Sequence, residues 1–219
     1  MSHSAHDVRM ASLRTRAAVA KVFTGLFLLT DLLLTLFAGL LLYREATTRI
    51  SFFMVALPGF VFFIALSLAA SGLALMGWIH RAHANLAAEG LDELGFTPGW
   101  AATSLLVPIA NLIVPFQAMR ELWNRSHGEP AHFARVSVER VSSWWSCWVA
   151  GVLTLSVLTV LAALDRLTPF VLMTPPGVNM FFLLLALLLM GGAGVFLWRI
   201  VAAITTAQQT VTRVEGAFD

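Results

Sequence analysis

Few side chains in this sequence could do chemistry. Asp31 is a lone carboxylate near the middle of a long apolar run. His80 and His83 stand three apart, so one helical turn could offer both imidazoles to a metal ion, and His127 and His132 could complete such a site. Glu121 closes a segment that also holds Asn111, Gln117 and Arg120. Two chemistries fit these types: proton or cation handling by a carboxylate at bilayer depth, and reaction at a metal. Neither has a frame around it. No His-Glu-x-x-His spacing is present, and no nucleophile–base motif or Gly-rich phosphate loop links the groups. Cys147 is the only cysteine, which excludes an intrachain disulfide and a cysteine zinc cluster. The expectation is no catalytic residue, no metal and no cofactor.

The elements that must position these groups are membrane helices. Of 219 residues 58% are hydrophobic and 12% charged, about half the charge of a soluble domain. Net charge is only +2, so nucleic acid is not an expected partner; the lipid bilayer is. The fold class is all-α, a polytopic membrane bundle. A polar N-terminal tail covers residues 1–20. A single membrane domain, 21–204, has helices at about 22–43, 51–79, 144–164 and 178–204 and an embedded segment at 98–123; a polar tail covers 205–219. The first run is too long for a signal peptide.

Helical spacing puts Thr24, Asp31, Thr35, Ala38 and Gly39 on one face of the first helix, so Asp31 is expected to face the bundle. It reads as a proton or cation site, or as a structural carboxylate that is paired or protonated. Arg199 is long enough to reach it, or else snorkels to the headgroups. Ser67, Ala70, Ala74 and Gly77 form a small-residue stripe on the second helix suited to close contact, and Trp78 is placed as an interfacial belt residue. Gly191, Gly192 and Gly194 permit tight packing on the last helix. Residues 124–143, with Phe133 and Val136, form a weakly amphipathic connector or a surface-lying segment.

Residues 96–123 are apolar enough to suggest a span but carry Pro108, Asn111 and Pro115 inside the run. Each proline deletes a helix hydrogen bond, and lipid can satisfy neither the freed carbonyl nor the amide of Asn111. The positive-inside rule separates two topologies. If the segment does not cross, eleven basic residues share the cytoplasmic side with both termini and three (Arg44, Arg49 and Arg166) lie outside. Five spans in the reverse orientation give a weaker asymmetry. Charge favours four transmembrane helices plus one Pro-broken re-entrant or membrane-embedded segment, with five spans as the alternative.

The ordered series Trp78, Arg81, Asn85-Leu86, Thr97-Pro98, Trp100, Pro108-x-x-Asn111-Leu112 and Pro115-x-Gln117-x-Met119-x-Glu121-Leu122-Trp123 resembles a bacterial membrane family catalogued as domain of unknown function 4328. The likeness covers roughly residues 78 to 148. Thr103 and Ser104 stand where that family usually has an aromatic pair. The resemblance implies a bacterial inner-membrane protein and no particular activity.

The sequence thus supports a non-enzymatic interaction or regulatory module built around residues 96–123, with a homo-oligomer or a membrane-protein partner. The alternative is an oligomeric small-solute or ion transporter or channel using Asp31, Asn111 and Gln117. Asp31, Arg199 and the residues of the ordered series are the candidate functional or structural positions.

Overall fold

A computed structural model describes residues 2–89, 94–129, 138–168, 175 and 177–215. The elements are α1 (Ser2–Thr48), α2 (Phe53–Ala88), α3 (Pro98–Thr103), α4 (Val114–Ser126), α5 (Glu139–Leu167) and α6 (Val178–Glu215), with 3-10 turns at Ser104–Leu106 and Ala110–Leu112. No strand occurs among the described residues. Four helices there, α1, α2, α5 and α6, are long and apolar enough to cross a membrane; a fifth is not formed. His132, Phe133 and Val136 lie outside the described residues.

The helices outrun the apolar stretches that announce them. α1 begins at Ser2, well before residue 22, and α6 continues to Glu215. At 1.5 Å per residue α1 is about 70 Å long, more than twice a hydrocarbon core of about 30 Å. It stays helical through its polar start because one side remains buried: Met10, Leu13, Ala17 and Ala20, then Thr24, Phe27, Asp31 and Ala38. These steps of three and four repeat every seven residues. The same spacing runs along α2 (Phe53, Leu57, Phe60, Ile64, Ser71, Leu75, Trp78, Ala82) and α6 (Met180, Leu183, Leu187, Met190, Leu197, Val201, Ile204, Gln208). Such a 3.5-residue seam is how supercoiled helices keep one face in contact. α6 is the most buried of the four: 44% of its most apolar stretch is buried, against 17 to 22% for the other three.

Two expectations about α2 need correction. The stripe Ser67, Ala70, Ala74, Gly77 is only half-buried, and a methyl at Gly77 would meet nothing within 4 Å. The bulky seam of Phe60, Ile64 and Leu75 makes the contacts instead, so the small side chains lie off the seam. Trp78 is fully buried, not interfacial; its indole N–H donates to Thr205 Oγ1 at 3.1 Å.

The chain divides into two compact units. One comprises Leu26–Leu68 and Trp144–Val195. Its core gathers Phe27, Phe53, Phe60, Ile64, Leu158, Met180, Leu187 and Met190. Close approach depends on glycine here: a Cβ on Gly151 would sit 2.7 Å from Met190 Cγ and 3.2 Å from the Ala186 carbonyl oxygen, and one on Gly194 2.7 Å from Leu28 Cδ2. Gly192 is looser, 3.8 Å from Cys147 Sγ. At one end the buried carboxylate of Glu45 fastens two chain reversals. Its Oε1 accepts from the Phe52 and Phe53 amides and from Ser51 Oγ, and its Oε2 accepts from the Gly177 amide at 2.9 Å. Gly177 has φ +87°, a conformation that suits glycine.

The other unit comprises Met1–Gly25, Ala69–Ser143 and Phe196–Asp219. Thr24 and Ser71 hydroxyls meet at 3.2 Å, and Arg16 Nη1 donates to the Gly77 carbonyl at 3.0 Å. A methyl at Gly25 would touch the Trp198 ring at 3.0 Å.

Glu45 supplies the testable consequence. Glu45→Ala leaves three backbone amides without their acceptor, at a cost of about 3 kcal/mol. The thermal midpoint in detergent is expected to fall by several degrees, with Glu45→Gln intermediate. An unchanged midpoint for Glu45→Ala would show that these amides find other acceptors.

Candidate functional site

The segment on which the sequence argument turned is folded as four short pieces. Thr97 caps α3, its Oγ1 accepting from the Trp100 amide at 3.3 Å, and Pro98 takes the first helical position, where a missing N–H is harmless. The chain tightens into a 3-10 turn at Ser104–Leu106. Val107 is extended at φ −94°, ψ 112°, as a residue before proline must be. Pro108 therefore follows a turn instead of breaking a helix. A second 3-10 turn holds Asn111, and Pro115 sits in the first turn of α4.

The backbone groups freed in this way are bonded locally. The Val107 amide donates to the Ser104 carbonyl, Asn111 to Val107 at 2.7 Å, Leu112 to Ile109, Ile113 to Ala110 and Gln117 to Ile113. What the segment shows outward is apolar. Leu106, Val107, Leu112 and Ile113 are exposed, and Ile109 is 81% exposed. Its two arms are buried, through Ala101, Ala102 and Ser104 on one side and Pro115, Ala118, Met119 and Leu122 on the other. Ser104 turns inward, its hydroxyl bonded to the Ala101 carbonyl, while Thr103 is exposed. Of the two residues that stand in place of the aromatic pair, only Thr103 is therefore presented outward.

The same unit holds a group of buried polar side chains. Glu121 Oε2 accepts from the Gly95 amide at 2.7 Å, and its Oε1 stands 3.9 Å from Nδ1 of His83, which is fully buried. Asn85 is buried with both amide atoms unpartnered among the described residues, as is the indole nitrogen of Trp123. Trp123 stacks against His127 at 4.7 Å between centroids, and His127 Nδ1 lies 2.7 Å from the Trp123 carbonyl oxygen. Gln208 Nε2 donates to the Ala82 carbonyl and to Ser126 Oγ, at 3.2 and 3.0 Å. α2, α4 and α6 are thus joined by side chains in this unit. Gln208, Thr205 and Ser126 were not singled out from the sequence. Gln208 and Thr205 lie in the polar-looking tail, and their spacing from Val201 is the only clue.

The other candidates separate. Asn111 buries its Oδ1 without a partner, Gln117 is exposed, and Arg81 and Arg120 are half-buried with unbonded Nε atoms. Pro98 is half-buried, Pro108 and Trp100 are exposed. Asp31, in the other unit, faces inward as expected and is 4% exposed. Its Oδ2 lies 2.5 Å from where a Cβ on Gly191 would be, so only glycine leaves it room. Neither Asp31 nor Arg199 makes an ion pair among the described residues, which speaks against the first of the two alternatives for Arg199; Arg199 is exposed. His80 is exposed while His83 is buried, so the two do not converge, and no group of three His, Cys, Asp or Glu among the described residues could hold a metal.

The Gly95–Glu121 contact can be tested by a double-mutant cycle. A methyl at Gly95 would come 2.8 Å from Glu121 Oε2. Gly95→Ala and Glu121→Ala are each expected to lower the detergent thermal midpoint, with a coupling of about 1 to 2 kcal/mol. In the Glu121→Ala background, Gly95→Ala should cost nothing further. Strictly additive effects would show that this contact does not fix the loop to α4.

The comparisons with known proteins bear on the same residues. A family model described as a domain of unknown function (DUF4328) matches residues 42–209, which takes in every residue of the ordered series, all of α2 and α5, most of α6 and only the end of α1. No curated protein and no solved structure matches the chain. Trp78, Asn85, Leu86, Pro115, Met119, Glu121, Leu122 and Trp123, the buried members of the series, all belong to the unit that carries the exposed apolar segment. With four described helices long and apolar enough to cross a membrane, the chain belongs to the DUF4328 family, whose domain has no known function.

Proposed function

We propose that the protein is a non-enzymatic interaction or regulatory module of the bacterial inner membrane, multi-pass with both termini cytoplasmic, and that residues 96–123 are its working surface. One observation carries the reading: a run of exposed apolar side chains, Leu106 to Ile113, in a unit locked by buried polar contacts. Exposed apolar residues in a contiguous patch mark contact with a membrane or a partner. Backbone at that depth must satisfy its own hydrogen bonds, and the local turns do so. The segment enters and leaves on the cytoplasmic face, and its tip meets a membrane-protein partner or a second copy within the inner leaflet. The transporter reading is supported less. The cavity of about 530 Å³ beside Arg166 and the groove of about 760 Å³ along α6 are lined by other residues than Asp31, Asn111 and Gln117.

Single cysteines in a Cys147→Ser background test the placement. Gly99→Cys and Arg125→Cys are expected to react with an impermeant maleimide from the same, cytoplasmic, side. Ile109→Cys and Leu112→Cys should be protected in membranes and react fully once the membrane is dissolved in denaturing detergent. Ile109 is among the most exposed residues of the chain, so it would label fastest if the tip were in water. Rapid labelling at Ile109 in intact membranes sinks the proposal, and so does labelling of Gly99 and Arg125 from opposite sides.

A further inference from the structure

A groove of about 760 Å³ runs along α6 in the unit that holds the α6 end, α4 and the start of α5. Its floor follows from helical spacing. Ala202 and Thr206 continue the row from Trp198, and Ala203 and Ala207 continue the row from Arg199. Small side chains thus leave a trough roughly 18 Å long between residues 198 and 210. His127 and Arg140 form the wall. The lining contains no carboxylate. Arg140 and Arg199 are both exposed and have no hydrogen bond or ion pair among the described residues. Two uncompensated guanidinium forks over a small-residue floor match an oxyanion with several acceptor oxygens, above all a phosphate.

Position identifies which phosphate. α6 opens at Val178, and about 20 residues carry a helix across the hydrocarbon. That count ends at Leu197, which places Trp198 and Arg199 at the headgroup level, where tryptophan and arginine anchor membrane proteins. His127 adds a further polar group. Its Nδ1 is engaged with the Trp123 carbonyl, which leaves Nε2 for a headgroup hydroxyl. We infer that this groove binds the headgroup of an anionic glycerophospholipid, with Arg140 and Arg199 on the phosphate and Trp198 against the glycerol and upper acyl region.

The protein purified in detergent, examined by native mass spectrometry with added phosphatidylglycerol or phosphatidylcholine, tests this. The wild type is expected to hold one phosphatidylglycerol roughly tenfold more tightly than phosphatidylcholine. Arg140→Gln with Arg199→Gln should abolish the preference, and Arg44→Gln with Arg49→Gln, outside the groove, should keep it. Ala203→Phe fills the floor and leaves both guanidiniums in place. It should lose the lipid as the arginine variant does, which keeps the test decisive if removing charge disturbs folding. Millimolar inorganic phosphate or glycerol 3-phosphate should not displace the lipid. Equal binding of the two lipids by the wild type overturns the assignment, as does full binding by both groove variants. Displacement by inorganic phosphate alone would assign the groove to a free phosphate and also overturn the lipid.

Discussion

Hydrocarbon offers no hydrogen bond, so any backbone donor or acceptor placed in it must be satisfied by the chain itself. α1, α2, α5 and α6 meet this demand along their lengths. Residues 104–113 satisfy their backbone differently, with 3-10 turns whose amides reach back three or four residues. Pro108 and Pro115 are compatible with this because each stands where no helical N–H is needed. The prolines divide the run into short pieces whose apolar side chains Leu106, Ile109 and Leu112 are exposed, while Glu121, His83 and Asn85 of the same unit are buried.

The existence of four long helices was legible because composition alone shows it. Their seams were not. On a membrane helix the lipid side is as apolar as the buried side, so Leu29, Leu33 and Leu36, all exposed, look like core in the sequence. The seven-residue seam of α1 passes through Met10, Thr24 and Asp31, a mixture that hydropathy cannot recognise as one face. The inward placement of Asp31 was readable because a carboxylate has only one tolerable direction there. The small stripe of α2 misled for the converse reason: small side chains permit approach but do not require it.

The site was legible where special backbone chemistry was spelled out, and obscure where it depended on tertiary neighbours. The embedded segment set at 98–123 begins where α3 does, at Pro98, whereas the extended Val107 ahead of Pro108 was not read from the sequence. Nothing local revealed that Glu121 would hold the Gly95 amide, twenty-six positions away, or that Glu45 would join the α1–α2 corner to the turn before α6. Trp78 was misplaced for the same reason. A tryptophan at the end of an apolar run suits an interface until a partner such as Thr205 gives its N–H a reason to be inside.

The two units are held together internally by different forces, and the difference bears on function. In the unit of Leu26–Leu68 and Trp144–Val195, cohesion comes mainly from apolar seams and glycine contacts such as Gly151 on Met190, with the Glu45 carboxylate fastening one end. Many apolar sequences of the right volume could do this. In the other unit, cohesion comes from directional contacts among buried polar groups: Trp78 to Thr205, Gln208 to Ala82 and Ser126, Glu121 to Gly95. Such contacts tolerate little substitution, because removing one partner strands the other in a low dielectric. A scaffold that only had to stay in the membrane would not need them. They lie in the unit that also holds residues 104–113 and most of the ordered series, Trp78, Asn85, Glu121 and Trp123 among them, which suits the proposed presentation of one short apolar segment in a fixed pose.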